Sequence, residues 1–200
     1  MRWPVPDSPL IRIVHEYVSA RVSAPILHHS VRVGSFARLI AESEHIDIPE
    51  DMVWGAALLH DVGTAAGASS PLRFEVTGAN AAAELLAAQS ELSGAQVQEV
   101  WDAIALHTSP HIAEARGGLT RVIRLGVLMD FGEDILPDAT ELRRKQESEW
   151  PRADIERVLA DAVVQQVLEV PEKAPPASWP HNLYTAHLQN PRHTGVNPAF

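Results

Sequence analysis

Hydrophobic and polar positions alternate with helical spacing along most of the chain. Ser8-Pro9 joins an N-cap residue to a proline and predicts a short helix to about Ala20. A second helix is predicted from near Pro25 to about Ser43, with an apolar stripe through Val33, Phe36 and Ile40. Stepping back along that stripe reaches His29, whereas His28 steps to Arg32, Ser35 and Leu39, a more polar face. His29 is therefore the histidine aimed at the core, and His28 a rim or packing residue.

The next segment runs from Pro49-Glu50-Asp51 through Ala56-Ala57-Leu58-Leu59 to His60-Asp61-Val62-Gly63. Acidic residues suit its first turn, and Gly63 suits a left-handed residue that stops it. A helix apolar on nearly every side is a buried helix, so His60 and Asp61 end up inside the protein or at the floor of a cleft. A loop of small residues follows, 63–70, then a helix from about Val76 to Gln89. Ser93-Gly94 opens another, with the stripe Val97, Val100, Ile104 and His107, ending at Ser109-Pro110. Gly117-Gly118 interrupts the chain. From Leu119 the stripe is Ile123, Val127 and Asp130, with Gly132 as terminator. Asp138 to Glu149 reads as a charged, exposed helix, and Pro151 to Val170 as an amphipathic one. There is no convincing strand run and no internal repeat, so the expected class is all-α, a helical bundle. Residues 1–170 form the expected body. From Pro171 to 200 the repeated prolines make regular structure unexpected, although Trp179, Leu183, Tyr184 and Phe200 offer anchors onto the body or onto a neighbouring subunit.

Composition narrows the chemistry. The chain of 200 residues has no cysteine, so disulfides, thiolate ligands and a Cys nucleophile are excluded. The formal charge is −10 and the lysines are Lys145 and Lys173, which argues against nucleic acid and acidic membranes as partners. No stretch is apolar enough to span a membrane and no signal-peptide pattern opens the chain, so the expected location is the cytoplasm.

Against that background, polar groups sit on apolar stripes or at buried helix ends: His29, His60 with Asp61, His107, and Asp130. Singly, each has an ordinary explanation: a hydrogen-bonded core histidine, or an aspartate paired with Arg121 or Arg124. Together, aimed inward from separate helices in a chain poor in cations, they point to a divalent metal ion. Imidazole and carboxylate suit Zn2+, Fe2+ or Mn2+. Such an ion pulls the pKa of a bound water towards neutrality, and Asp61 is placed both to ligate and to accept the water's proton.

His29-Ser30 with Arg32-Val33, then His60-Asp61, then Asp130, resembles the H…HD…D signature of the HD-domain superfamily, helical metal-dependent hydrolases and their relatives. The similarity covers about residues 24–132. It implies an HD-domain helical bundle with His29, His60, Asp61 and Asp130 as metal ligands. The segments 60–64 (His-Asp-Val-Gly-Thr), Arg73-Phe74-Glu75-Val76 with Gly78-Ala79-Asn80, and 101–110 resemble the cyanamide hydratase-like branch. That resemblance implies one zinc ion and addition of water to a nitrile-type carbon, cyanamide to urea, with Asp61 and His107 catalytic. His107, Thr64, Arg73 and Glu75 are the expected substrate-contacting residues, although Arg73 reads equally as a solvated loop residue, Thr64 also as completing the turn, and Glu75 more readily as a helix-start carboxylate. No histidine lies between His60 and His107, which departs from the di-metal relatives, although Glu75 is a conceivable ligand. Thr64 and alanines replace the glutamate of the nucleotidases, and the GYP extension of the cyclic-dinucleotide phosphodiesterases is absent. His111 has no explanation at this level. The alternatives are a phosphohydrolase acting on a nucleotide or phosphomonoester, for which Arg73 and Arg32 are the obvious cations, and a binding protein that keeps fold and metal without turnover. The tail histidines His181, His187 and His193 and the run Arg143-Arg144-Lys145 read as surface.

Overall fold

The structure, a computed structural model, describes residues 5–65 and 70–200. The small-residue loop expected at 63–70 lies partly outside them. No strand occurs among the described residues. The helices are α1 (Pro9–Ser19), α2 (Ala24–Ser43), α3 (Glu50–Leu59), α4 (Phe74–Gln89), α5 (Gly94–Leu106), α6 (Ile112–Arg116), α7 (Gly118–Asp130), α8 (Ala139–Glu149), α9 (Ile155–Glu169) and α10 (Trp179–Gln189). The protein is an all-α bundle.

Helix starts follow local chemistry. The Ser8 hydroxyl accepts from the Ile11 amide at 3.1 Å and donates to Asp51 in the first turn of α3 at 2.8 Å, tying α1 to α3. Ser93 and Gln96 form a reciprocal capping box at α5. Every residue of α3 from Met52 to Leu59 is buried, so this short segment can hold its place only as the bundle's centre. Around it pack α1, α2 and α5, and α2 lies chiefly along α7.

Four expectations need correction. The face of α2 carrying Arg32 and Ser35 is buried, not polar rim: Arg32 has an acidic partner, and Ser35 bonds back to Val31 O. Gly63 does not take the left-handed conformation; the chain passes through a 3-10 turn at Val62–Ala65. Glycine is required there by contact, since a Cβ would lie 1.9 Å from Phe74 O and 2.7 Å from Gly78 N. The helix expected from Pro151 starts at Ile155, because the Trp150 and Pro151 carbonyls accept from Arg32 and Ala153 turns the chain with φ 47°. The proline-rich end is not devoid of regular structure. Pro171–Lys173 forms a 3-10 turn and Pro180 lies in the first turn of α10, where its missing N–H costs nothing. Leu183 of α10 is buried with Phe74, Val163 and Val164. His111, unexplained by sequence, is exposed and takes φ 65° at the start of α6.

Candidate metal centre

The last residue of α3 is Leu59 and the last of α5 is Leu106, and each is followed at once by a histidine. Both histidines do the same thing. His60 Nδ1 donates to Ala57 O at 2.7 Å and His107 Nδ1 donates to Ile104 O at 2.6 Å. A helix end has carbonyls without partners, and the imidazoles satisfy one each. A carbonyl can only accept, so the proton of each neutral ring is on Nδ1 and a lone pair is left on Nε2. On α2, His29 Nδ1 donates to Asp130 Oδ2 at 2.7 Å, which leaves its Nε2 free in the same way.

The three Nε2 atoms converge on Asp61. His60 Nε2 lies 3.1 Å and His29 Nε2 3.6 Å from Asp61 Oδ2, and His107 Nε2 lies 3.5 Å from Oδ1. His29 Nε2 and His60 Nε2 are 3.2 Å apart. Lone pairs therefore face lone pairs and a carboxylate, with all four side chains buried. Neither oxygen of Asp61 has a hydrogen-bond partner. An unpartnered buried carboxylate among proton-free imidazoles is too costly to keep unless a cation lies between them. The donor set fits a divalent ion, and His29, His60 and Asp61 are the metal-binding triad. Without an ion the groups act on one another, and Asp61 draws a proton towards His60 in the place a cation would take. Burial pushes the His60 pKa down, but the charge of Asp61 outweighs it and the net shift is upward. Burial raises Asp61, yet His60 and His107 hold it well below the usual carboxylate range. For His29 burial prevails and the shift is downward.

Asp130, expected as a ligand, has other company. Arg32, fully buried, gives Nε to Oδ1 at 2.6 Å and Nη2 to Oδ2 at 2.8 Å, a two-pronged pair. The third arm of Arg32 donates to Trp150 O at 3.0 Å. Burial raises the Asp130 pKa, but the bonds from His29 and Arg32 prevail and hold it below its ordinary value. Its partner is Arg32, one helical turn along from His28, rather than Arg121 or Arg124. In this geometry Asp130 fixes the tautomer and orientation of His29. His28 is a packing residue, edge-on to Trp150 and bonded to Pro151 O.

Thr64, Arg73 and Glu75, expected to touch substrate, stand behind the wall of the site. Thr64 donates to Asp61 O at 2.6 Å and closes the turn. Arg73 pairs with the buried Glu75, and Thr108 donates to Glu75 at 2.6 Å. Two residues were missed. Gln166 donates to Gly63 O and Thr64 O, at 2.8 and 2.7 Å, and clamps the turn that carries the ligands. Thr108 borders the cavity. Its place directly after His107 was the available signal. Gln166 gave none, since its contact spans about a hundred residues of chain.

A cavity of about 330 Å³ opens over the centre, lined by His29, His60, Asp61 and His107 and, further out, by apolar and aromatic side chains. The profile of the HD domain matches residues 26–155, which takes in all of these ligand candidates. The chain belongs to the HD domain family. HD proteins of this kind are metal-dependent hydrolases, and the His/His/Asp site is this chain's version of their metal centre. Two cyanamide hydratases of Saccharomyces cerevisiae, DDI2 and DDI3, are each 33% identical over 63 residues, covering 30% of this chain and 28% of the relative. The match thus spans under a third of those proteins' length. Among the described residues no helix is long and apolar enough to cross a membrane.

Proposed function

We propose that this HD protein holds one zinc ion and adds water across a nitrile-type carbon, with cyanamide to urea as the leading reaction. The observation that carries the reading is the unpartnered Asp61 carboxylate facing three proton-free Nε2 atoms. His29, His60 and Asp61 hold the ion, and Asp130 orients His29. When bound, such an ion supplies Lewis acidity that brings water close to deprotonation near neutral pH. His107 begins with Nδ1 protonated and Nε2 bare, so it first accepts a proton and only then hands it on. It takes one from the attacking water and delivers it to the nitrogen that gains negative charge. The partial sequence likeness to the two hydratases supports this choice of substrate.

The phosphomonoester alternative needs an uncommitted cation beside the metal. Arg124 borders the cavity but is bonded to Glu114 and to His107 O, and Arg32 and Arg73 are spent on Asp130 and Glu75. The test is elemental analysis of purified protein, then urea formation from cyanamide beside phosphate release from a nucleotide panel. Zinc near one equivalent with urea formed bears the reading out. Phosphate release without urea defeats it.

A further inference from the structure

The cavity is much larger than the proposed small substrate, and its outer wall has a definite composition. A cavity of about 150 Å³ lined by aliphatic and aromatic side chains accepts benzene, and this one measures about 330 Å³. Cyanamide, a single N–C–N unit, would leave most of it to water. The charged and polar groups beyond the metal centre are already partnered: Arg124 with Glu114, Glu156 with Arg152, Thr108 with Glu75. What remains for a ligand is apolar: Val127, Leu128, Phe131, Leu159, Trp179 and Phe200.

The rings form a closed circuit. From His29 it runs to Phe131 at 4.7 Å between centroids, to Phe200 at 4.9 Å, to Trp179 at 5.7 Å and to Phe74 at 6.1 Å. It returns through His107 at 5.7 Å and His60 at 4.9 Å, and closes on His29 at 5.0 Å. Apart from the tilted His29–Phe131 pair the contacts are edge-on, the favourable geometry for aromatic neighbours. The collar begins and ends on metal-centre histidines, and its far side is supplied by Trp179 and Phe200 of the C-terminal segment. A substrate atom reacting at the metal has Phe131, Trp179 and Phe200 as the aromatic wall available to its substituent.

We propose that the physiological substrate carries a ring-sized apolar substituent on the reacting carbon or its neighbouring nitrogen, an aryl or cycloalkyl nitrile or substituted cyanamide, seated against Phe131, Trp179 and Phe200. This rests on the metal-centre reading above, and the test separates the two. The zinc-loaded protein is titrated calorimetrically with acetohydroxamate, benzohydroxamate and benzamide; the hydroxamates share a chelating head and differ in the ring, and benzamide has the ring without the chelator. Burying one ring predicts benzohydroxamate tighter than acetohydroxamate by about tenfold to a hundredfold. In Phe200→Ala, and separately in Trp179→Leu, that ratio falls severalfold while acetohydroxamate affinity holds; a circular dichroism melt checks that each variant is folded. Equal affinity of the two hydroxamates for the parent protein overturns the proposal, as does a ratio that both variants leave intact. If neither hydroxamate binds but benzamide does, and binds less well to Phe200→Ala, the collar stands and the metal-centre reading falls. If none of the three binds, the collar falls too.

Discussion

Asp61 and Asp130 are both buried aspartates that touch the same histidine, one on each side of its ring. Asp130 meets His29 at Nδ1 and has its oxygens taken up by Arg32 as well. Asp61 faces Nε2 and has no donor at either oxygen. Burial costs both carboxylates the loss of water, and only one is repaid by hydrogen bonds from protein groups. The lesson is that an acidic residue in a core should be judged by its unpaired oxygens rather than by its place in a motif. Asp130 is compensated within the fold; Asp61 awaits something from outside.

The largest test of this contrast is to break the compensated pair. Asp130→Ala strands the Arg32 charge in the interior and is expected to cost about 3–5 kcal/mol in denaturant unfolding of the metal-free protein. The double replacement Arg32→Met with Asp130→Leu should recover much of that loss. Because His29 then loses its orienting partner, metal affinity should still fall about 10–100-fold. Nearly as large an effect is expected from the ion itself. Zinc at a thousand times its dissociation constant should add about 4 kcal/mol to stability, reversed by a chelator. In Asp61→Asn that increment should vanish, while the metal-free variant loses far less stability than Asp130→Ala. The unequal cost of the two aspartate substitutions in metal-free protein is the sharpest form of the comparison. Equal destabilisation by both would erase it.

His107→Gln should come next, with turnover down about a hundredfold or more and zinc retained if the ring is a proton carrier. Loss of zinc would instead make His107 a fourth ligand. The smallest effect belongs to a surface carboxylate. Arg121 holds the Glu44 pKa below its ordinary 4.5, against a weaker opposing effect of burial. The unfolded chain therefore takes up this proton first as pH falls below 4.5. The pair's contribution is present above that pH and lost as acidity passes through the depressed folded value. Glu44→Gln should flatten this dependence in acid unfolding, by well under about 1 kcal/mol because the pair is solvent-screened.

Much of the fold was legible because capping chemistry is local. Ser8-Pro9, Ser93-Gly94, and Gly132 with φ 113° mark real boundaries. Periodicity placed His29, His60, His107 and Asp130 on inward faces, and all four are buried. Periodicity is silent about which atom of an inward group meets which partner. By spacing Arg32 falls on a polar face, and only the approach of α7 shows that its charge is spent on Asp130. Pro151 misled because Arg32 and His28 capture the carbonyls that a helix there would use. The proline count from 171 onwards masked α10, since a first-turn proline starts a helix as readily as an interior one breaks it.

Gly63 lies two residues beyond Asp61, with its α-carbon against the Phe74 carbonyl and the Gly78 amide. There is no room for a methyl group without moving backbone on one side or the other. Either movement breaks the packing of the turn bearing His60 and Asp61 against α4. A screen for inactive variants would therefore score this glycine as though it met the substrate, although it contributes no side-chain atom to the centre. The spacing between two main chains, beside the side chains that hold the turn, sets where the ligands stand.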